Sequence, residues 1–419
     1  MNIHKLLKMA KHVCLQVFAG CYERTTFGYD LLENEAEDGS PEFAFKARFT
    51  NNAHTGCIKA LAASSRHLSS GSTDEIINLY DLEENVELGS LLQHNGSVAS
   101  LSFHEDGHMV SSGEDGVICI WGTKTWECMK ILKGHKDAIN SVAVHPSGKL
   151  ALSVSKDKTL RTWNLLKGRA AYTTNIKKVS DIVLWSPDGQ LYAVITNDLV
   201  EIYDITTASV CCSCKSNVKI LSACFLTVSR PCLYTGYEDG VDGVDDAVIT
   251  NDLVEIYDIT TASVCCSCKS NVKILSACFL TDRVLVTAGE GEMISLLKVN
   301  EKKTKLSQLT EFKAHKKRIK SLKCMNAKGS QSNQTEKWLL SASSDGFLKI
   351  WCIDTEKIRD CPVLLSEVNT KARLTCLAIR KAPSAVDGEK DATQEATKRS
   401  TESKTDDSVV KKKKKKSKP

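Results

Sequence analysis

The sequence predicts an all-β fold: a β-propeller on a seven-blade plan, clasped by its own two ends and followed by a disordered basic tail. Three observations predict it. A unit of about 40 residues recurs along the chain. Short alternating runs between turn signals take the place of a helical period. The last unit has one strand-like run, while the start of the chain has three that no unit uses.

The clearest units read GSTDEIINLYD (71–81), GEDGVICIWG (113–122), SKDKTLRTWN (155–164) and SSDGFLKIWC (343–352). In each, an aspartate stands six residues before an aromatic: Asp74 and Tyr80, Asp115 and Trp121, Asp157 and Trp163, Asp345 and Trp351. A histidine precedes each aspartate by 20–30 residues: His54, His94, His135 and His315. Alternating runs such as SVASLSF, AINSVAVH and KSLKCM lie between them. Aligned first strands begin near Ile58, Val98, Ile139, Ile182, Leu275, Ile319 and Leu374, which makes seven. A four-stranded twisted sheet has two apolar faces and cannot bury both alone. Stacking such sheets round a ring buries them all and leaves only short edges.

The histidine, serine, aspartate and aromatic of a unit suit a hydrogen-bond chain inside one sheet. For the third unit these are His135, Ser153 or Ser155, Asp157 and Trp163. A buried polar chain of that kind must be satisfied throughout, and then it sets strand register. It is not a nucleophilic triad, because the set recurs in four units and no GxSxG accompanies it. Gly134-His135 and Trp163-Asn164 are the pieces that most resemble the WD-repeat family, and the resemblance covers about residues 15–380. Gly122, Asn164, Lys298 and Cys352 stand where that family usually ends a unit in aspartate, whereas Asp81, Asp204 and Asp258 keep the aspartate after a tyrosine.

Ring closure follows from what is left over. ARLTCLAIR (372–380) is a lone strand, and LQVFAG (15–20), TTFGYDL (25–31) and FAFKARF (43–49) precede the first unit. Together they make one sheet, with 374–380 innermost, and ENEAEDGSPE (33–42) becomes a surface loop. Sharing a blade between the ends avoids an open sheet edge. Lysines at 5, 8 and 11 interrupt the apolar N-terminus, so Val13 to Gly20 reads as a strand and not as a signal peptide.

Residues 193–227 and 247–281 are identical at all 35 positions, AVITNDLVEIYDITTASVCCSCKSNVKILSACFLT. The duplicated segment holds strands enough for an eighth blade, read as ILSACFL, CLYTGY, LVEIYDI and SVCCSCK across 221–270; the alternative is an extruded loop, which would expose apolar surface. The CCSC clusters (211–214 and 265–268) invite a metal reading. Neighbouring strand residues point to opposite faces, so a structural role is the better reading, and no metal or other cofactor is expected. Eighteen cysteines over 419 residues are too sparse for a disulfide framework and suit a reducing compartment.

Charge separates body from tail. Residues 381–419 hold 12 basic and 7 acidic side chains, a net of +5 that equals the charge of the whole chain, leaving 44 of each sign in 1–380. That tail lacks periodicity and is too poor in apolar residues to offset chain entropy, so it reads as disordered. It ends in Lys411, Lys412, Lys413, Lys414, Lys415 and Lys416, a run that suits nuclear import or a polyanion. A second basic cluster, Lys316, Lys317 and Arg318, falls in a predicted loop and is a candidate for RNA phosphate contact, or else a solvated loop with no partner; no aromatic platform accompanies it.

The chain shows no P-loop, Rossmann glycine pattern, metal-ligand spacing or paired catalytic carboxylates, so the residues point to a noncatalytic binding scaffold. EDGVICIW, TWECMK, HPSGKLALSV, DKTLRTWNL, SASSDGF, ARLTCL and FAGCYE, with the lysine-rich tail, resemble the p21-activated-kinase-interacting WD-repeat family. The resemblance implies a nucleolar protein of large-ribosomal-subunit maturation, with pre-ribosomal assembly factors and rRNA as partners, and a negative regulator that binds the kinase regulatory region. The alternatives are a cytoplasmic signalling scaffold and a hydrolase centred on the propeller channel. No membrane contact is expected.

Overall fold

The computed structural model describes residues 12–36, 40–215, 220–225, 245–250, 253–258, 263–270, 273–281, 283–300, 305–327 and 335–381. Every described element is a strand. The chain opens with β1 (His12–Cys21), β2 (Thr26–Glu35) and β3 (Pro41–Asn51), paired as successive antiparallel hairpins. β2 and β3 run further than the alternation in the sequence suggests. Both ends of the acidic stretch 33–42 are therefore strand, because Glu33, Asn34 and Glu35 pair with Phe43, Glu42 and Pro41.

Four-stranded sheets follow in regular succession. They are β4 (Ile58–Ala63) to β7 (Val86–Leu91), with β5 (His67–Ser72) and β6 (Ile77–Asp81) between; then β8 (Val98–His104), β9 (His108–Gly113), β10 (Val117–Gly122) and β11 (Cys128–Lys133). Next come β12 (Ile139–Val144), β13 (Leu150–Ser155), β14 (Thr159–Asn164) and β15 (Arg169–Asn175), then β16 (Ser180–Trp185), β17 (Leu191–Thr196), β18 (Leu199–Asp204) and β19 (Val210–Lys215). The copied segment supplies β20 (Ile220–Phe225), β21 (Asp245–Thr250), β22 (Leu253–Asp258) and β23 (Ser263–Lys269), which pair in that order as a sheet additional to the seven-blade plan. Two sheets remain: β24 (Ile274–Thr281), β25 (Val284–Gly289), β26 (Met293–Val299), β27 (Leu306–Lys313), and β28 (Ile319–Asn326), β29 (Glu336–Ser343), β30 (Phe347–Asp354), β31 (Val363–Asn369).

The additional sheet corrects one expectation. Its second strand is Asp245–Thr250, not the CLYTGY run of 232–237, which lies outside the described residues. The copy starts at Ala247, the counterpart of Ala193 in β17, so it brings its own second strand with it. Each copy thus carries the second, third and fourth strands of one sheet and the first of the next. The insertion keeps the four-strand phase of the chain.

The last strand, β32 (Leu374–Lys381), joins the first three in a sheet of order β3-β2-β1-β32. A polar ladder crosses it. Arg380 Nη1 donates to Gln16 Oε1 at 3.0 Å, Gln16 Nε2 donates to Asp30 Oδ1 at 2.9 Å, and Arg48 Nη1 reaches the same oxygen at 3.4 Å. One residue from each of the four strands takes part. At the end of the sheet Arg373 Nε donates to Glu23 Oε1 at 2.6 Å, and its guanidinium lies 4.2 Å from the centre of the Tyr22 ring.

Apolar side chains fill the wedges between neighbouring sheets. Ile77 and Leu79 pack with Val98, Met109 and Trp121; Ile118 and Leu132 pack with Ile139, Ala151 and Trp163; Leu340 and Ile350 pack with Leu31, Leu374 and Leu377. Each fully buried aliphatic side chain contributes about 1.5–3 kcal/mol, which no single sheet could gain alone. Two irregularities repeat with the units. The register shifts near the start of each first strand, between Ile58 and Ala60, Val98 and Ser100, Ile139 and Ser141, and Ile319 and Ser321. It shifts again on the third strand, just before Tyr80, Trp121, Trp163 and Trp351. Such bulges add twist and re-aim a side chain. Hydroxyls also tie neighbouring first strands together: Ser100 Oγ donates to Val142 O, the Val183 and Leu322 amides donate to Ser141 and Ser276 Oγ, and Thr375 Oγ1 donates to Ile58 O.

Candidate functional site

The repeated polar residues meet inside the sheets. Trp163 Nε1 donates to Ser153 Oγ at 2.8 Å, Ser153 Oγ lies 2.7 Å from His135 Nε2, and His135 Nδ1 lies 2.9 Å from Asp157 Oδ2. An indole N–H can only donate and a carboxylate can only accept. With a neutral imidazole the chain has one consistent assignment: serine donates to histidine, and histidine carries its hydrogen on Nδ1. Ser155, the other candidate of this unit, has a different task. Its hydroxyl donates to Asp137 O and accepts from the Asp157 amide, so it shapes the hairpin below the network.

The same chain links Trp121, Ser111, His94 and Asp115, with successive distances of 2.8, 2.9 and 2.9 Å. It links Trp351, Ser341, His315 and Asp345 at 3.1, 2.8 and 3.2 Å. In the first unit His54 reaches Ser70 at 2.8 Å and Asp74 at 3.0 Å, but the network stops there. Tyr80 was expected as its aromatic member; its buried hydroxyl lies near Ser70, Thr26 and Asn78 but makes no well-formed hydrogen bond among the described residues, and the ring stacks on Phe49 at 5.4 Å. A phenol places its polar atom at the ring tip, whereas an indole carries its N–H on the ring edge, so tyrosine fills the slot without completing the chain. The serines, Ser70, Ser111, Ser153 and Ser341, are all fully buried.

Charge is settled by position. Burial opposes ionisation of Asp157, but bonds from the Thr159 hydroxyl, the Lys136 amide and His135 outweigh it and hold the carboxyl well below its usual range. Asp74 and Asp345 are lowered in the same way, against burial, by the Thr55 and Lys316 amides first. Burial lowers His135 and His315, with the paired aspartate working against that shift. In His135 and His315 burial thus favours the neutral form that the assigned chain uses. All four sets are consumed in holding the sheets, and none presents a serine to a substrate.

These networks also fix one rim of the molecule. Each aspartate accepts from the amide that follows the histidine: Thr55 at 2.7 Å, Asn95 at 3.1 Å, Lys136 and Lys316 at 2.9 Å. In the last unit this clamps the loop between β27 and β28. Ser343 Oγ bonds the carbonyls of Lys317 and Arg318, and the Ser344 amide donates to Arg318 O at 3.1 Å. Lys316, Lys317 and Arg318 are exposed on this rigid loop. No ion pair to a carboxylate engages them among the described residues, while the nearby Lys273 and Lys313 hold Glu290 and Glu292. The loop thus holds three exposed basic residues on a clamped backbone, without a carboxylate partner among the described residues. Lys411 to Lys416 lie outside the described residues.

Cys211 and Cys212 sit on opposite faces of β19, one half-exposed and one buried, as their places on a strand require. Cys211, Cys212 and Cys268 form no disulfide, and no group of three or more metal-ligating side chains occurs among the described residues. The signals that sequence reasoning missed are the clasp ladder through Gln16 and the hydroxyl ties between first strands. Both use residue types too common to stand out before the sheets are assembled.

Repeated four-stranded sheets braced by Trp–Ser–His–Asp networks define a WD-repeat propeller. The profile of the WD domain, G-beta repeat, matches residues 85–122, 126–164 and 306–352. The chain belongs to the p21-activated protein kinase-interacting protein 1 family. It is 38% identical over 373 residues to a p21-activated protein kinase-interacting protein 1-like protein of Xenopus laevis, covering 89% of this chain and 84% of that one. It is 35% identical to p21-activated protein kinase-interacting protein 1 of Homo sapiens over 366 residues, covering 87% of this chain and 77% of that one. Among solved structures, the computationally designed Ika8 protein superposes with a TM-score of 0.59 at 19% identity, over 77% of this chain and 90% of that one, a likeness of fold alone.

Proposed function

We propose that this chain is a noncatalytic docking platform that binds the regulatory region of a p21-activated kinase and restrains the kinase, and that it works in the nucleolus in maturation of the large ribosomal subunit and its pre-rRNA. The observation that carries the reading is the match along 89% of the chain to a protein whose name states interaction with a p21-activated kinase. The consumption of every repeated histidine and aspartate inside the sheets supports a binding role over a hydrolytic one. Lys316, Lys317 and Arg318 are the surface offered to RNA phosphates, and the lysine run 411–416 is the import signal.

A pull-down with the isolated kinase regulatory fragment tests the first part; no binding at micromolar protein removes it. Replacing Lys316, Lys317 and Arg318 together by alanine should weaken RNA binding and flatten its salt dependence. Deleting 411–418 should move a tagged chain out of the nucleus, and a wild-type chain found only in the cytoplasm favours the signalling-scaffold alternative. We also read the additional sheet, β20–β23, as an eighth blade set into the ring, supported by its unbroken strand phase and by β20 lying against β17 on one side and β24 on the other.

A further inference from the structure

Two thiols face each other across a joint between sheets. Cys278 lies on β24 and Cys324 on β28, the first strands of neighbouring sheets, and their sulfurs are 2.7 Å apart. That is inside van der Waals contact and about 0.7 Å from the length of a disulfide bond. The two strands are pinned at the same level by the Leu322 amide, which donates to Ser276 Oγ at 3.0 Å. Both cysteines pack at the edge of the apolar cluster formed by Leu280, Val286, Leu322 and Leu339, and both are half-buried, so a small oxidant can reach them. A second group of thiols lies elsewhere. Cys21, Cys57 and Cys376 gather near the clasp, where burial pushes all three thiols up, Cys376 to about 12, and so suppresses the reactive thiolate.

We propose that Cys278 and Cys324 form a reversible inter-sheet disulfide under peroxide. The step balances with hydrogen peroxide as oxidant. One thiolate attacks a peroxide oxygen, the O–O bond breaks, and a sulfenic acid forms as the other oxygen leaves as water after taking up the thiol proton. The second thiolate then attacks that sulfur; the S–S bond forms, the S–O bond breaks, and a second water leaves. Two thiols are oxidised and one peroxide is reduced. In a reducing compartment thiol exchange returns the pair to its resting state. The bond would staple β28, which begins immediately after Lys316, Lys317 and Arg318, to the preceding sheet. It closes a loop across 46 residues of sequence separation, so the oxidised chain should resist unfolding more than the reduced one. The proposal stands whether or not that basic loop meets RNA.

The test uses the full chain, reduced, desalted and treated with increasing hydrogen peroxide, then alkylated and mapped by mass spectrometry. The expected result is a loss of about 2 Da in the intact mass and a linked peptide joining Cys278 to Cys324, appearing at lower peroxide than any other oxidation product. The melting temperature should rise with the linked fraction and return on reduction. Cys278→Ser and Cys324→Ser should each abolish the linked peptide and the rise while melting like the reduced wild type. If either variant fails to fold, the peptide map of the wild type still decides. Sulfinic acid at both positions without a linked peptide, or Cys278 joined to other cysteines as often as to Cys324, overturns the proposal.

Discussion

At the scale of the residue, one hydroxyl holds each network together. Ser153 accepts from Trp163 and donates to His135. Ser153→Ala leaves an indole N–H and an imidazole nitrogen buried without partners, and should cost about 1–3 kcal/mol in urea denaturation. Ser155→Ala should cost less, because its partners are the Asp137 carbonyl and the Asp157 amide at the rim of the hairpin. Titration has a definite sign. His135 and His315 are held below their ordinary value in the fold, so the unfolded chain binds protons first and stability falls as pH drops through about 6.5. Asp74, Asp157 and Asp345 are also held low; the stability they add is complete above about pH 4 and is lost below it. The melting temperature followed by circular dichroism should be level from pH 8 to about pH 7 and then decline steadily toward acid. A maximum near pH 5 would contradict the assignment of neutral, Nδ1-protonated histidines.

At the scale of the element, the clasp depends on a ladder that passes through Gln16. Its amide bonds Arg380 on one side and Asp30 on the other, and both Gln16 and Arg380 are buried. Gln16→Leu keeps the volume and removes both bonds, leaving Arg380, among the described residues, with the Glu83 carboxylate at 3.8 Å. It should destabilise the protein by about 1–3 kcal/mol, measured by the shift in denaturation midpoint. Ending the chain at residue 371 removes β32, and cooperative unfolding should vanish, whereas ending it at Lys381 should preserve the transition. Hairpin chemistry varies between the units. Gly116 and Gly346 follow their aspartates with φ of +73° and +91°, while Glu75 and Lys158 adopt φ of +71° and +63° at the same place. The latter two accept a left-handed backbone, costly for a residue with a Cβ, because the aspartate before each accepts the amide two residues on.

At the scale of the whole molecule, the duplication tests how a repeat protein absorbs an insertion. Each sheet contacts only its neighbours, so a whole extra unit in phase leaves every other joint intact. An insertion out of phase would exchange inner strands for outer ones. β21 begins two residues before the copied segment, and β20 ends two residues short of the close of the first copy. If β20–β23 form a blade of the ring, the amides of β21 should exchange with deuterium about as slowly as those of β17. Peptides that extend upstream of Ala247 distinguish the copies. Complete exchange of β21 within seconds, with β17 protected, would show the second copy lying outside the ring.

The sequence by itself determined the sheets. Period-2 alternation names the strands, the Asp–aromatic spacing names their hairpins, and the count of leftover strands pairs 374–380 with the beginning of the chain, because a lone strand cannot satisfy its backbone. Tertiary structure decided what depends on a partner remote in sequence. It chose Ser153 over Ser155 for the histidine and denied Tyr80 a place in its network. It extended β2 and β3 into the two ends of an acidic stretch, threaded Gln16 between Arg380 and Asp30, and brought Cys278 against Cys324. Local pattern encodes which face of a strand is apolar; which polar atom lies within 3 Å of another is set only when the sheets are stacked and the ring is shut.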